Sequence, residues 1–225
     1  MIDHKSVDGR ITIPVKERDV LVVKNSKSLV LSGSARQGAW IYNFSDAPVG
    51  RIVHGLYWCQ FIRSKGPDAN VTVSSSNGRK LVHFHLPESQ KIAINLAYLV
   101  AFTKSIRIRT YGNFSIPAFV SDLNILSVFE GPGDIVLETS GNHDHQNFGA
   151  PRFSPGSLVA WDPSIQFSLD NVDGLTDLYC HPVRLTCHDE IRNKDLIVDN
   201  GFYENRPAGF FGFIRQALSW IIPRI

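Results

Sequence analysis

The 225-residue chain is poor in sulfur: three cysteines (Cys59, Cys180, Cys187) and one methionine. An odd, sparse set without a CxxC pair excludes a disulfide framework and a structural zinc site of the usual spacing. The doublet Cys180-His181 recurs as Cys187-His188, a set that metal chemistry uses but that neighbouring β-strands also produce. Charge of one sign is missing too. Lys and Arg number 23 against 21 Asp and Glu, for a net +2, and Arg10, Lys16, Arg51, Arg63, Lys80, Arg107 and Arg152 are scattered. No basic patch is concentrated in sequence, so nucleic-acid binding is not expected. No apolar run approaches the roughly eighteen residues a membrane-spanning helix needs. The start, Met1-Ile2-Asp3-His4-Lys5, has acid early and no apolar run, which argues against a secretory leader.

Catalytic signatures are absent as well. There is no Gly-x-Ser-x-Gly elbow, Walker loop, dinucleotide fingerprint or His-Glu-x-x-His. Gly33-Ser34-Ala35-Arg36-Gln37-Gly38 lacks the lysine and following helix of a phosphate loop, and reads as a turn. Asp189-Glu190 would face opposite ways on a strand. No cofactor is expected.

What is present is a globular composition, 43% hydrophobic and 20% charged, patterned mostly in period two. Strand readings cover Ile11–Val15, Val20–Val23, Asn70–Ser74, Leu81–Leu86, Ile106–Arg109, Ile135–Glu138 and Gln166–Leu169. Turn residues separate them: Lys65-Gly66-Pro67-Asp68, Asn77-Gly78, Gly131-Pro132-Gly133-Asp134 and Ser154-Pro155-Gly156. Short strands so punctuated predict an all-β sandwich or barrel, with Asn77-Gly78 as a type I′ hairpin. Ala118–Phe129 has a composition ambiguous between helix and strand.

One segment recurs. Leu99-Val100-Ala101-Phe102-Thr103-Lys104-Ser105-Ile106 matches Leu158-Val159-Ala160-Trp161-Asp162-Pro163-Ser164-Ile165 in register. This predicts a duplicated β-unit, about 15–110 and 111–204 within a domain spanning 1–204. A third copy is expected at Ser28-Leu29-Val30-Leu31. The tail, 205–225, reads as a linker and a short amphipathic helix. Phe210, Phe211, Phe213, Ile214, Leu218, Trp220, Ile221 and Ile222 form a wide apolar arc beside a narrow polar stripe. About thirteen helical residues span roughly 20 Å, too short to cross a bilayer. The arc suits docking on protein or lying in a membrane interface.

Two His-x-His pairs offer metal-ligating geometry, since residues i and i+2 share a strand face. His143-Asp144-His145 sits in what reads as an exposed polar loop. His83-Phe84-His85, followed by Glu88, resembles part of the cupin pattern, but the carboxylate comes early and no downstream partner motif follows. A cupin-like metal-dependent enzyme using His83 and His85 is therefore the runner-up reading.

Phe129-Glu130-Gly131-Pro132-Gly133-Asp134-Ile135-Val136-Leu137-Glu138, with the two Leu-Val-Ala strands, resembles the altered-inheritance-of-mitochondria-24-like family over about residues 15–170. The sequence departs from it where a glycine-rich stretch is reduced to Gly50 and Gly55, with Tyr57-Trp58-Cys59 in its place. The resemblance implies a β-sandwich like that of the tryptophan-RNA-binding attenuator protein, often oligomeric, without established catalytic residues. It implies mitochondrial membrane organisation in eukaryotic members. The leading expectation is a non-enzymatic scaffold or binding protein, homo-oligomeric, whose C-terminal helix meets a protein partner or a membrane surface. A subunit of a large assembly is a further reading. The expected location is cytoplasmic, peripheral on a membrane through the tail, and mitochondrial in a eukaryote.

Overall fold

The computed structural model describes residues 4–17, 19–24, 28–41, 58–66, 69–75, 79–112, 125–141, 143–145, 152–170, 184–187, 194–199 and 201. These are almost entirely antiparallel β-structure, as the period-two patterning predicts. Strands formed at every segment read as one. Ambiguous Ala118–Phe129 resolves where it is described, as a strand from Ile125. The Asn77-Gly78 turn, Asp189-Glu190, the Cys180-His181 doublet and the tail at 205–225 lie outside the described residues.

Two large sheets carry the fold. The first runs β1 (His4–Asp8), β8 (Lys80–Leu86), β13 (Gly133–Thr139), β10 (Leu99–Thr103), β3 (Val20–Lys24), β6 (Trp58–Ser64), β5 (Ala35–Ile41). The second runs β14 (His143–His145), β19 (Leu196–Asp199), β16 (Leu158–Trp161), β9 (Lys91–Ile94), β12 (Ile125–Glu130), β11 (Arg107–Gly112). Two three-stranded sheets flank them. One joins β2 (Arg10–Pro14), β7 (Asn70–Ser74) and β4 (Leu29–Ser32); the other joins β15 (Arg152–Phe153), β18 (Arg184–Cys187) and β17 (Phe167–Asp170).

Three apolar clusters bind four layers. Between the large sheets, Val22, Phe84 and Leu137 meet Ile92, Phe129 and Ile197, with Phe102 and Phe129 edge-to-face at 5.9 Å. On the far side of the first sheet, Leu21, Val23 and Val136 meet Ile11, Ile13, Val71 and Val73. On the far side of the second, Trp161 and Leu196 meet Phe153, Leu185 and Cys187. Strands covered on both faces need apolar residues at every position rather than alternate ones. That accounts for the unbroken apolar runs Leu99–Phe102, Leu158–Trp161 and Leu196–Val198, buried throughout.

The repeated segment is β10 in one large sheet and β16 in the other, and its pairing repeats residue for residue. Leu99, Ala101 and Phe102 face Leu137, Val136 and Ile135. Leu158, Ala160 and Trp161 face Val198, Ile197 and Leu196. Both strands carry a bulge at the intervening valine, which puts two successive side chains on one face. Val100 and Ala101 accordingly share one cluster, and Val159 and Ala160 another. Extending the register makes β8, β13, β10, β3, β6 and β5 the counterparts of β14, β19, β16, β9, β12 and β11.

Equivalent faces point the same way: Leu21 and Val23 pack on a flanking sheet, whereas their counterparts Ile92 and Ile94 pack on the first large sheet. Each large sheet takes strands from both sides of residue 110. The expected third copy at Ser28–Leu31 falls in β4, in a flanking sheet beside β7. It therefore lacks the central, doubly covered position that defines the other two.

Candidate functional site

Along β8 the side chains alternate. Val82, Phe84 and Leu86 enter the core between the large sheets. His83 and His85 therefore point to the other face, where β13 supplies the neighbours: Asp134 opposite His85, and Val136 opposite His83. His83 Nε2 and His85 Nδ1 both lie on Asp134 Oδ1, at 3.1 and 3.0 Å. An ionised carboxylate only accepts, so each of these ring nitrogens donates its hydrogen. The Asp134 N–H donates to Thr103 Oγ1 at 2.9 Å, and the Ser105 hydroxyl donates to the same oxygen at 3.2 Å. The hydrogen bond from His83 holds the Asp134 carboxyl below its usual 3.8, aided by that from His85 and opposed by burial.

Gly131 and Gly133 allow this close approach. A Cβ on Gly133, whose φ is +156°, would fall 2.2 Å from Thr103 Oγ1, and one on Gly131 would fall 2.1 Å from the Pro87 carbonyl oxygen. The glycines of the Gly-Pro-Gly motif thus seat β13 against the turns after β8 and β10.

Sequence reasoning found both histidines but not their partner. Glu88, the carboxylate suggested by the cupin-like pattern, is exposed in the turn between β8 and β9. Asp134 stands beside them instead, and the signal was a carboxylate directly before the apolar run Ile135–Leu137. Among the described residues, no group of three or more His, Cys, Asp and Glu side chains is arranged to hold a metal ion. The geometry is that of a clamp between β8 and β13, with both imidazoles bonded to one oxygen.

His143 and His145, expected in a polar loop, belong instead to β14, paired with β19. The alternation His-Asp-His lacks apolar content, so only the pairing partner reveals the strand. His145 stands opposite Ile197 as His83 stands opposite Val136. In the second sheet Asp195 holds the position of Asp134, and Asp162 that of Thr103. There a groove of about 330 Å³ opens, lined by both polar and apolar residues, among them Lys91, Ile92, Asp162, Pro163, Ser164 and Asp195. The Ser164 N–H and hydroxyl donate to Asp162 Oδ1 at 2.8 and 2.7 Å. Cys59 and Cys187 are both buried in apolar clusters.

A family model described as Mitochondrial biogenesis AIM24 matches residues 44–202. No curated protein matches the chain. Among solved structures, an X-ray crystal structure of a Streptococcus pyogenes protein superposes with a TM-score of 0.60. That match covers 88% of this chain and 94% of the other at 12% identity, a likeness of fold.

Proposed function

Because the chain belongs to the Mitochondrial biogenesis AIM24 family, we propose that it is a non-enzymatic scaffold or binding protein that attaches to a membrane surface through its C-terminal segment. The observation that carries this reading is the family match across most of the β-structure, joined to the apolar arc of Phe210, Phe211, Phe213, Ile214, Leu218, Trp220, Ile221 and Ile222. The family and the all-β fold fit a non-catalytic part in mitochondrial biogenesis. In a eukaryote the location is mitochondrial; elsewhere it is the cytoplasmic face of a membrane. Within this reading His83, His85 and Asp134 hold two strands together rather than turn over a substrate.

Flotation with phosphatidylcholine vesicles tests the attachment, comparing the full chain with one ending at Pro207. Flotation of the full chain alone supports a bilayer-facing tail. Failure of both to float turns the apolar arc toward a protein partner or a second copy of the chain, which light scattering would reveal.

A further inference from the structure

Arg36 on β5 and Arg63 on β6 are Cα partners, directly opposite across the antiparallel pair. Both are exposed. Directly opposed side chains share a face with Cβ atoms about 5 Å apart, and like charges so placed repel. Neither arginine has an ion-pair partner among the described residues. Arg36 Nη1 donates to its neighbour's carbonyl, Ala35 O, at 3.1 Å, leaving the rest of the fork available.

More positive charge gathers at the same corner. Exposed Lys65 follows β6 in a bend fixed by its N–H on Ser34 O. Exposed Lys104 donates its N–H to Val20 O, and Val20 is the partner of Arg63 on the other side. Asp19 is the neighbouring carboxylate, and its Oδ1 already accepts the Val20 N–H at 2.8 Å.

The second large sheet supplies an internal comparison. At the matching register Arg107 stands opposite Glu130, not opposite another cation. Lys91 Nζ and Arg109 Nε lie 4.0 and 3.7 Å from Glu130 Oε2. There a carboxylate faces the cations; at Arg36 and Arg63 none does among the described residues. A tetrahedral oxyanion reaching two guanidinium forks would supply the missing negative charge through charge-assisted hydrogen bonds. Both side chains are exposed among the described residues, and β5 is the outermost strand of its sheet.

We propose that Arg36 and Arg63 form a phosphate-binding site, taking either a free phosphate-bearing molecule or a lipid phosphate headgroup. The site does not depend on the tail, whose attachment is read from phosphatidylcholine vesicles alone.

The test is calorimetric titration of the full chain with inorganic phosphate, against chloride at matched ionic strength, repeated for Arg36→Gln and Arg63→Gln. Each substitution removes a repulsion, so both variants should fold at least as well as the parent. Loss of one charged hydrogen-bonding partner should weaken phosphate binding about tenfold or more. The same three proteins are then floated on phosphatidylcholine vesicles with and without phosphatidic acid. A gain in flotation from phosphatidic acid, lost in both variants, identifies the headgroup as the source. Phosphate binding without that gain identifies a soluble phosphate compound. Phosphate heat no greater than that of chloride, or equal in parent and variants, would overturn the proposal.

Discussion

At the residue scale, Asp134 is the side chain through which the two strands of the site communicate. Its lowered pKa means the folded state prefers the charged form. The stabilisation is therefore complete above the unfolded value of 3.8 and is lost as pH falls through the lower folded value. His85 is 60% exposed, so solvent screening reduces what its bond contributes. Asp134→Asn should cost about 1 kcal/mol at neutral pH. Urea denaturation of parent and variant across the acid range checks this: the gap should close below 3.8. A gap that stays constant into strong acid would show that packing, not the carboxylate charge, holds β8 to β13.

At the element scale, the turn Gly131-Pro132-Gly133 decides where β13 can sit. An alanine Cβ at position 133 would meet Thr103 Oγ1, Ile106 Cγ1 and Ser105 Oγ at 2.2, 2.6 and 2.9 Å, atoms of the turn that presents Thr103 to Asp134. Gly133→Ala should destabilise the protein by about 2 kcal/mol or more, from overpacking and a backbone angle alanine rarely adopts. Thermal melts measure it, and an unchanged melting temperature would mean that the β10 turn yields freely. This turn was also among the most legible parts of the sequence. The strands bounded by turn residues were readable because the period-two pattern and the glycine and proline positions carry local physics. The bulged repeat was readable because two copies of one packing problem call for the same residues. The partner of His83 and His85 was not, since strand pairing across some fifty positions follows from the whole chain's packing rather than from any local pattern. The opposed arginines escaped for the same reason: Arg36 and Arg63 become neighbours only once β5 and β6 are in register.

At the scale of the whole molecule, duplication and chain order do not coincide. The first large sheet inserts β13 between β8 and β10, so a chain ending at Gly112 would leave β1 and β8 without a bridge to the rest of their sheet. The second takes β9 and β11 from before that point, so a chain beginning at Asn113 would lack both strands beside β12. Each half would then expose apolar side chains that the intact protein buries between its large sheets, Val22 and Phe84 in the first and Leu137 and Phe129 in the second. Neither fragment should fold alone, and the intact protein should unfold in one transition. Circular dichroism and hydrogen exchange of the two fragments give the measurement: flat melting curves and no slowly exchanging amides are expected. A fragment that melted cooperatively would mean one stacked sheet can form without its interleaved strands.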